Sequence, residues 1–269
     1  MELSPSQKLE IYEKGFVRIP GVVPRIMINA ALRAINHSVG EGMPAEDMNR
    51  LRSQSYCNEV QKTPDITELF NGTPLHSLAE SLLGQGKLNR VGSGQIALRF
   101  PSYSKDAAPR LSPHIDGTWS EHNGVPKGRV LNFTMIASVL LSDLPERYSG
   151  NFTVWPGAHR PVAEYLREHG IDSLMSGMPK IQMPEPCQIT GQAGDIVFAH
   201  YLLPHTAAIN LSPHVRYAIF YRLTPNDRPA DPMTGAQRAE AILDPWLEWP
   251  GLQELVAKDR KVQPELAKV

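Results

Sequence analysis

At 269 residues the chain is long enough for one large domain or two small ones, and its 41% hydrophobic content is enough to bury a core. With 27 basic and 28 acidic residues the formal charge is −1, which excludes the basic footprint of a nucleic-acid binder. No apolar run spans a bilayer, and Met1-Glu2-Leu3-Ser4-Pro5 lacks a charged region followed by an apolar one, so neither a membrane span nor a signal peptide is expected.

Ser4-Pro5 predicts a helix start, with Ser4 as the cap, proline at the first helical position and Gly15 as the stop. Residues 16–20 alternate as a short strand does. A second helix is expected from about Pro24 through Met27, Ala31, Leu32 and Ile35. The stretch 40–65, with Gly40, Gly42 and Pro44, reads as an irregular polar loop and a candidate lid, as does 101–112. Thr73-Pro74 opens another helix, whose Leu75, Leu78, Leu82 and Leu83 share one face and which Gly84 ends. Beyond residue 86 the texture changes to short apolar or alternating runs at 88–91, 95–100, 130–141, 151–155, 188–190, 195–199 and 217–223, with a short helix at 164–169. Many short strands at this spacing predict a sandwich or barrel. Helix returns at 236–243 and 252–258, and Trp246 and Trp249 are expected to anchor this tail to the core. The expectation is therefore a mainly β protein with flanking α-helices. It forms a single domain over 1–269, with N-terminal helices in 1–87, a core at about 88–223 and a C-terminal helical tail over 224–269. Cys57 and Cys187 are too few for a disulfide framework, so a reducing, cytoplasmic setting is expected.

The chemistry starts at Ser112-Pro113-His114-Ile115-Asp116-Gly117. In an extended segment, residues i and i+2 leave the same face, so His114 and Asp116 aim a nitrogen and an oxygen donor at one point. That is two thirds of a facial metal site. Downstream, His200 and His205 are the rival third donors. Arg216 follows His205 by eleven residues, inside an apolar run that reads as the last core strand. A buried arginine needs an anion, and guanidinium grips a carboxylate in a two-pronged fork. Two histidines and a carboxylate suit non-haem Fe(II), with open positions for a 2-oxo acid and O2.

These motifs resemble the phytanoyl-CoA dioxygenase family. They are His-x-Asp at 114–116, Gly194-Asp195 leading to His200 and His205, and Arg216 eleven residues further. Gly150 through Trp155-Pro156-Gly157-Ala158-His159 and Asn210-Leu211-Ser212 add to them. The resemblance covers about 88–223. It implies a double-stranded β-helix of the jelly-roll, cupin-like type and an Fe(II)- and 2-oxoglutarate-dependent dioxygenase consuming O2. It also implies that His114, Asp116 and His205 bind the metal and that Arg216 binds the far carboxylate of 2-oxoglutarate. Gln95 and Ser138 fall at positions beside the co-substrate. Arg99 stands where relatives often carry lysine. An intact Asp116 favours hydroxylation, desaturation or ring formation over halogenation.

Around this set, Trp119, His122 and Asn132 are candidate pocket residues for a small-molecule substrate. His159 and His200 read as loop or core histidines. The competing readings are a cupin-like metalloenzyme of non-oxidative chemistry and a non-catalytic binding or sensing module.

Overall fold

The computed structural model describes residues 1–42, 56–104, 106, 109–120, 125–227 and 239–266, the last stretch from 261 by backbone alone. Helix α1 (Pro5–Lys14) starts as its sequence predicts: the Ser4 hydroxyl accepts from Gln7 N at 3.3 Å, and Gln7 Oε1 accepts from Ser4 N at 2.9 Å. Gly15 ends it and leads into strand β1 (Phe16–Ile19). Helices α2 (Arg25–Glu41), α3 (Pro64–Asn71) and α4 (Pro74–Leu83) follow. Helix α3 begins inside the stretch expected to be irregular. Thr63-Pro64-Asp65 is itself a helix start, with proline at the first position and an acid in the first turn. Of the two lid candidates, residues 43–55, 105, 107 and 108 lie outside the described residues.

The remaining strands are β2 (Gln95–Arg99), β3 (Met135–Leu140), β4 (Phe152–Val154), β5 (Cys187–Gln188), β6 (Ile196–His200), β7 (His205–Ala207) and β8 (Arg216–Leu223). Between β4 and β5 lies α5 (His159–His169), which starts five residues earlier than the sequence suggests and keeps Pro161 in its first turn. The run 88–91 does not pair as a strand. Its Val91 N–H and C=O are both taken by the Asn71 side chain, at 2.9 and 3.0 Å, so a neighbouring strand is not needed.

Five strands form one antiparallel sheet in the order β1-β6-β3-β8-β2, and three form a second in the order β5-β4-β7. Period-two alternation sorts the large sheet's side chains. Ile96, Leu98, Met135, Ala137, Val139, Ile196, Phe198, Ile219 and Tyr221 join the helices in one core. Ile136, Val197, Ala199 and Phe220 turn the other way, toward Phe152 and Val154 of the small sheet and Ile189 just after β5. A helix layer and a second sheet thus cover the two faces, and the site lies between the sheets.

The tail holds α6 (Ala239–Leu243), a 3₁₀ turn (Pro250–Leu252) and α7 (Gln253–Leu266). Residues 236–238, expected in the first of these helices, lie outside the described residues. Trp246 packs on Tyr12 with ring centroids 5.0 Å apart, and Trp249 stacks on His200 at 5.3 Å. Among the described residues no helix is long and apolar enough to cross a membrane.

Candidate active site

His205 opens β7, and His114 lies opposite it in an antiparallel bridge that adds one more rung to the small sheet. The pair exchanges both backbone bonds, His114 N–H to His205 O at 2.9 Å and His205 N–H to His114 O at 3.0 Å. Their rings lie 4.5 Å apart. Asp116 follows on the same side: its Oδ1 is 3.6 Å from His114 Nε2 and 3.8 Å from His205 Nε2. One donor atom from each residue falls within 4.8 Å of the others.

The protonation states suit ligation. His205 Nδ1 lies 3.0 Å from the Leu203 carbonyl, which can only accept, so Nδ1 carries the proton and Nε2 presents its lone pair. Burial, aided by neighbouring His205, pushes His114 down to about 4, so its ring is neutral near pH 7. Burial alone would raise the Asp116 carboxyl. Arg222 and the two histidines outweigh it and hold the group well below the usual carboxylate range. Gly117, at φ +90°, lets the chain turn right after Asp116. A Cβ there would lie 2.4 Å from the Leu131 carbonyl oxygen, and the Leu131 N–H donates to Gly117 O at 2.7 Å, which holds the two segments close.

The inward parity of β2 and β8 brings the other polar groups to the same cavity. Gln95, Arg99, Arg216 and Arg222 line it with His114, Asp116 and His205, beside Ile136, Phe152 and Phe220, and the cavity measures about 580 Å³. Arg216 is buried. Its Nε donates to Gly150 O at 2.8 Å and its Nη1 to Ala97 O at 3.1 Å. Among the described residues no carboxylate pairs with it, and burial together with nearby Arg99 pulls it down to about 9. It therefore stays charged near neutrality, with donors left over. An uncompensated buried cation facing a cavity fits a bound carboxylate.

Ser138 is fully buried on the inward face of β3 with an unpartnered Oγ, yet it does not line the cavity. Asn132 is buried away from the cavity, and Trp119 is half exposed beneath the Lys127 ammonium, 4.3 Å from its ring centre. His122 lies outside the described residues. His200 shares the parity of Ile196 and Phe198 and so points to the helix side. There its Nε2 bonds Pro245 O at 2.8 Å and its Nδ1 accepts from Leu202 N–H at 3.0 Å, which leaves no ring nitrogen for a metal. Arg222 was not singled out from the sequence. Its signal was there, since 216 and 222 differ by an even number and share a face of one strand.

A donor set of two histidines and one carboxylate, open to a cavity between two antiparallel sheets, is of the type that can hold a metal ion in non-haem enzymes. The model of the phytanoyl-CoA dioxygenase family matches residues 11–218, and the chain belongs to that family. It is accordingly an oxidoreductase of the class that uses Fe(II), 2-oxoglutarate and O2. Among solved structures it is similar to SnoK, a non-haem alpha-ketoglutarate-dependent carbocyclase from nogalamycin biosynthesis, at 24% identity. The likeness covers 82% of this chain and 84% of that one, with a TM-score of 0.53. It is similar to HygX from Streptomyces hygroscopicus, solved with nickel and 2-oxoglutarate bound, at 18% identity over 83% and 87% with a TM-score of 0.52. It is similar to EctD from S. alaskensis at 17% identity over 83% and 77% with a TM-score of 0.54. At these identities the likenesses establish the fold. No curated protein matches the chain.

Proposed function

We propose that the protein is a dioxygenase that couples the oxidative decarboxylation of 2-oxoglutarate to oxidation of a C–H bond in a small-molecule substrate, most simply hydroxylation, releasing succinate and CO2. His114, Asp116 and His205 would hold Fe(II), and Arg216 would hold the remote carboxylate of the co-substrate. Bound iron supplies O2 activation. The observation that carries this reading is the meeting of two features in one cavity: a donor triad of the right chemistry and a buried arginine without an anion.

The protein's own part follows from its side chains. The Leu203 carbonyl fixes the His205 tautomer, so its Nε2 needs no rearrangement to ligate. Phe152, Phe220 and Ile136 give the cavity apolar walls that keep water from the reacting centre. Arg99, the register partner of Arg216, adds positive potential for a dianionic co-substrate. A second cavity, of about 970 Å³ and lined by Tyr56, Phe100, Arg110 and Asn210 among others, shares Leu98, Arg99, Thr206 and Ala207 with the first. It is the substrate side in this reading. Gln95 stays beside the co-substrate. Ser138 keeps only the support of the family resemblance, and Trp119, Asn132 and His122 only that of their place in the sequence near the metal motif and the central strand.

We read the two sheets as the walls of a double-stranded β-helix, and the chain from 1 to 269 as one domain. The packing of Trp246 and Trp249 on residues of α1 and β6 supports this. The unpaired thiols of Cys57 and Cys187 suit a reducing compartment such as the cytoplasm. The decisive experiment is anaerobic titration of the Fe(II)-loaded protein with 2-oxoglutarate, followed by O2 uptake and succinate release. A visible metal-to-ligand charge-transfer band that vanishes in His205→Ala supports the reading. No band and no O2 consumption would favour a non-oxidative metalloenzyme or a binding module.

A further inference from the structure

Building on the oxygenase reading, we propose that Arg222 is a positioning residue that restricts Asp116 to a single ligand oxygen. Arg222 lies on β8, six residues beyond Arg216 and on the same inward face. Its Nη2 and Nε both donate to one atom, Asp116 Oδ2, at 2.7 and 3.0 Å. The other oxygen, Oδ1, is the one turned to the histidines, at 3.6 and 3.8 Å. The two carboxylate oxygens are thus divided before any metal arrives. One is presented to the ligand set and the other is engaged by a charge-assisted pair of bonds.

The guanidinium is itself held in place. Its Nη1 donates to Gln95 Oε1 on the adjacent strand at 2.9 Å, and its carbon sits 5.8 Å from the centre of the Phe133 ring. Sliding across to Oδ1 would give up bonds to two partners. Gln95, placed by family resemblance beside the co-substrate, has its amide oxygen directed to Arg222.

The division has a chemical consequence. A carboxylate with both oxygens free can chelate a cation. In a six-coordinate site, two histidines and a chelating aspartate would occupy four positions, and a bidentate 2-oxo acid would fill the other two. A single Asp116 oxygen leaves one position for O2. Arg222 preserves that position through its hold on Asp116 Oδ2.

The test compares crystal structures of Mn(II)-loaded wild type and Arg222→Gln, with metal stoichiometry and circular dichroism as checks on loading and folding. The expected result is one Asp116 oxygen in the coordination sphere of the wild type and two in R222Q. In parallel, O2 uptake by Fe(II)-loaded protein with 2-oxoglutarate should fall about 10–100-fold in R222Q while metal is retained, as disturbed outer-shell partners commonly cause. Arg222→Lys, which can pair with Oδ2 but not also with Gln95, should fall between the two. R222M carries the same structural readout if R222Q does not load. A single-oxygen Asp116 in R222Q, or in R222M where that variant is the one read, overturns the assignment, as does a chelating Asp116 in the wild type. Loss of manganese by all three variants overturns it too, because Arg222 would then be needed for the site to form. Wild type that binds no metal at the triad refutes the oxygenase reading instead.

Discussion

Arg99 and Arg216 are register partners on adjacent antiparallel strands, and both side chains face one cavity. Two cations placed directly opposite repel each other, and both resist burial. A dianion between the sheets relieves both costs. Arg216→Gln should therefore weaken 2-oxoglutarate binding about 100-fold or more, with Arg216→Lys intermediate because an ammonium cannot form the two-pronged contact. In the metal-loaded wild type, 2-oxoglutarate at a hundred times its Kd should stabilise the fold by about 2.7 kcal/mol. Thermal denaturation with and without co-substrate reads both effects, and the increment should be lost in R216Q.

Two glycines hold the site's backbone where no side chain fits. A Cβ at Gly150 would stand 2.8 Å from Arg99 Cβ and 3.1 Å from Arg216 Cβ, at φ +78°. One at Gly117 would meet the Leu131 carbonyl oxygen at 2.4 Å. Gly117→Ala should cost about 1–3 kcal/mol and reduce metal loading, since Asp116 is its immediate neighbour. Gly150→Ala should cost a similar amount and weaken 2-oxoglutarate binding while leaving metal affinity intact. Denaturant melts paired with separate metal and co-substrate titrations distinguish the two.

Acid should unfold the protein through its buried histidines. Burial pushes His200 from its ordinary 6.5 down to about 4, and burial with nearby His200 pushes His159 well below its ordinary value. In the unfolded chain both take up protons near 6.5, while in the folded chain they do not. Stability is then unaffected above about pH 6.5 and falls as the pH drops from there toward 4, by about 1.4 kcal/mol per pH unit for each histidine. His159 is fully buried with neither ring nitrogen hydrogen-bonded, and Arg160 adds positive charge close by. His159→Phe should leave stability at pH 7 unchanged or raised, and should flatten the acid slope by about one proton. Melting temperature against pH for the two proteins checks this.

The C-terminal segment should behave as part of the core. Trp246 touches the rings of Tyr12, His159 and His200 at centroid distances of 5.0, 5.4 and 5.0 Å. Trp246→Ala should cost about 3–5 kcal/mol. Unfolding followed by calorimetry and by far-ultraviolet circular dichroism should remain one coincident transition. A separate early transition for the tail would show that the chain is not one domain.

Much of the site was legible because its grammar is local. His114 and Asp116 share a face by the pleat of an extended chain, whichever fold surrounds them. Ser4-Pro5 and Thr73-Pro74 open helices for equally local reasons. Thr63-Pro64-Asp65 carries the same signature for helix α3, but it directly follows a polar stretch whose glycines and proline signal irregular chain. The run 88–91 looks like a strand but satisfies Val91 through Asn71, a partner twenty residues away in sequence.

By itself the sequence determined the donor types, their two-residue spacing and the parity of every side chain along its strand, since these follow from covalent geometry. It favoured His205 over His200 only through its spacing to Arg216, because parity says which residues share a face and not which face is inward. Tertiary structure decided that. Helices cover the side to which His200 points, and the small sheet carries His205 into its bridge with His114. It also decided which Asp116 oxygen faces the histidines, because the guanidinium that takes the other one arrives from a strand more than a hundred residues away in sequence.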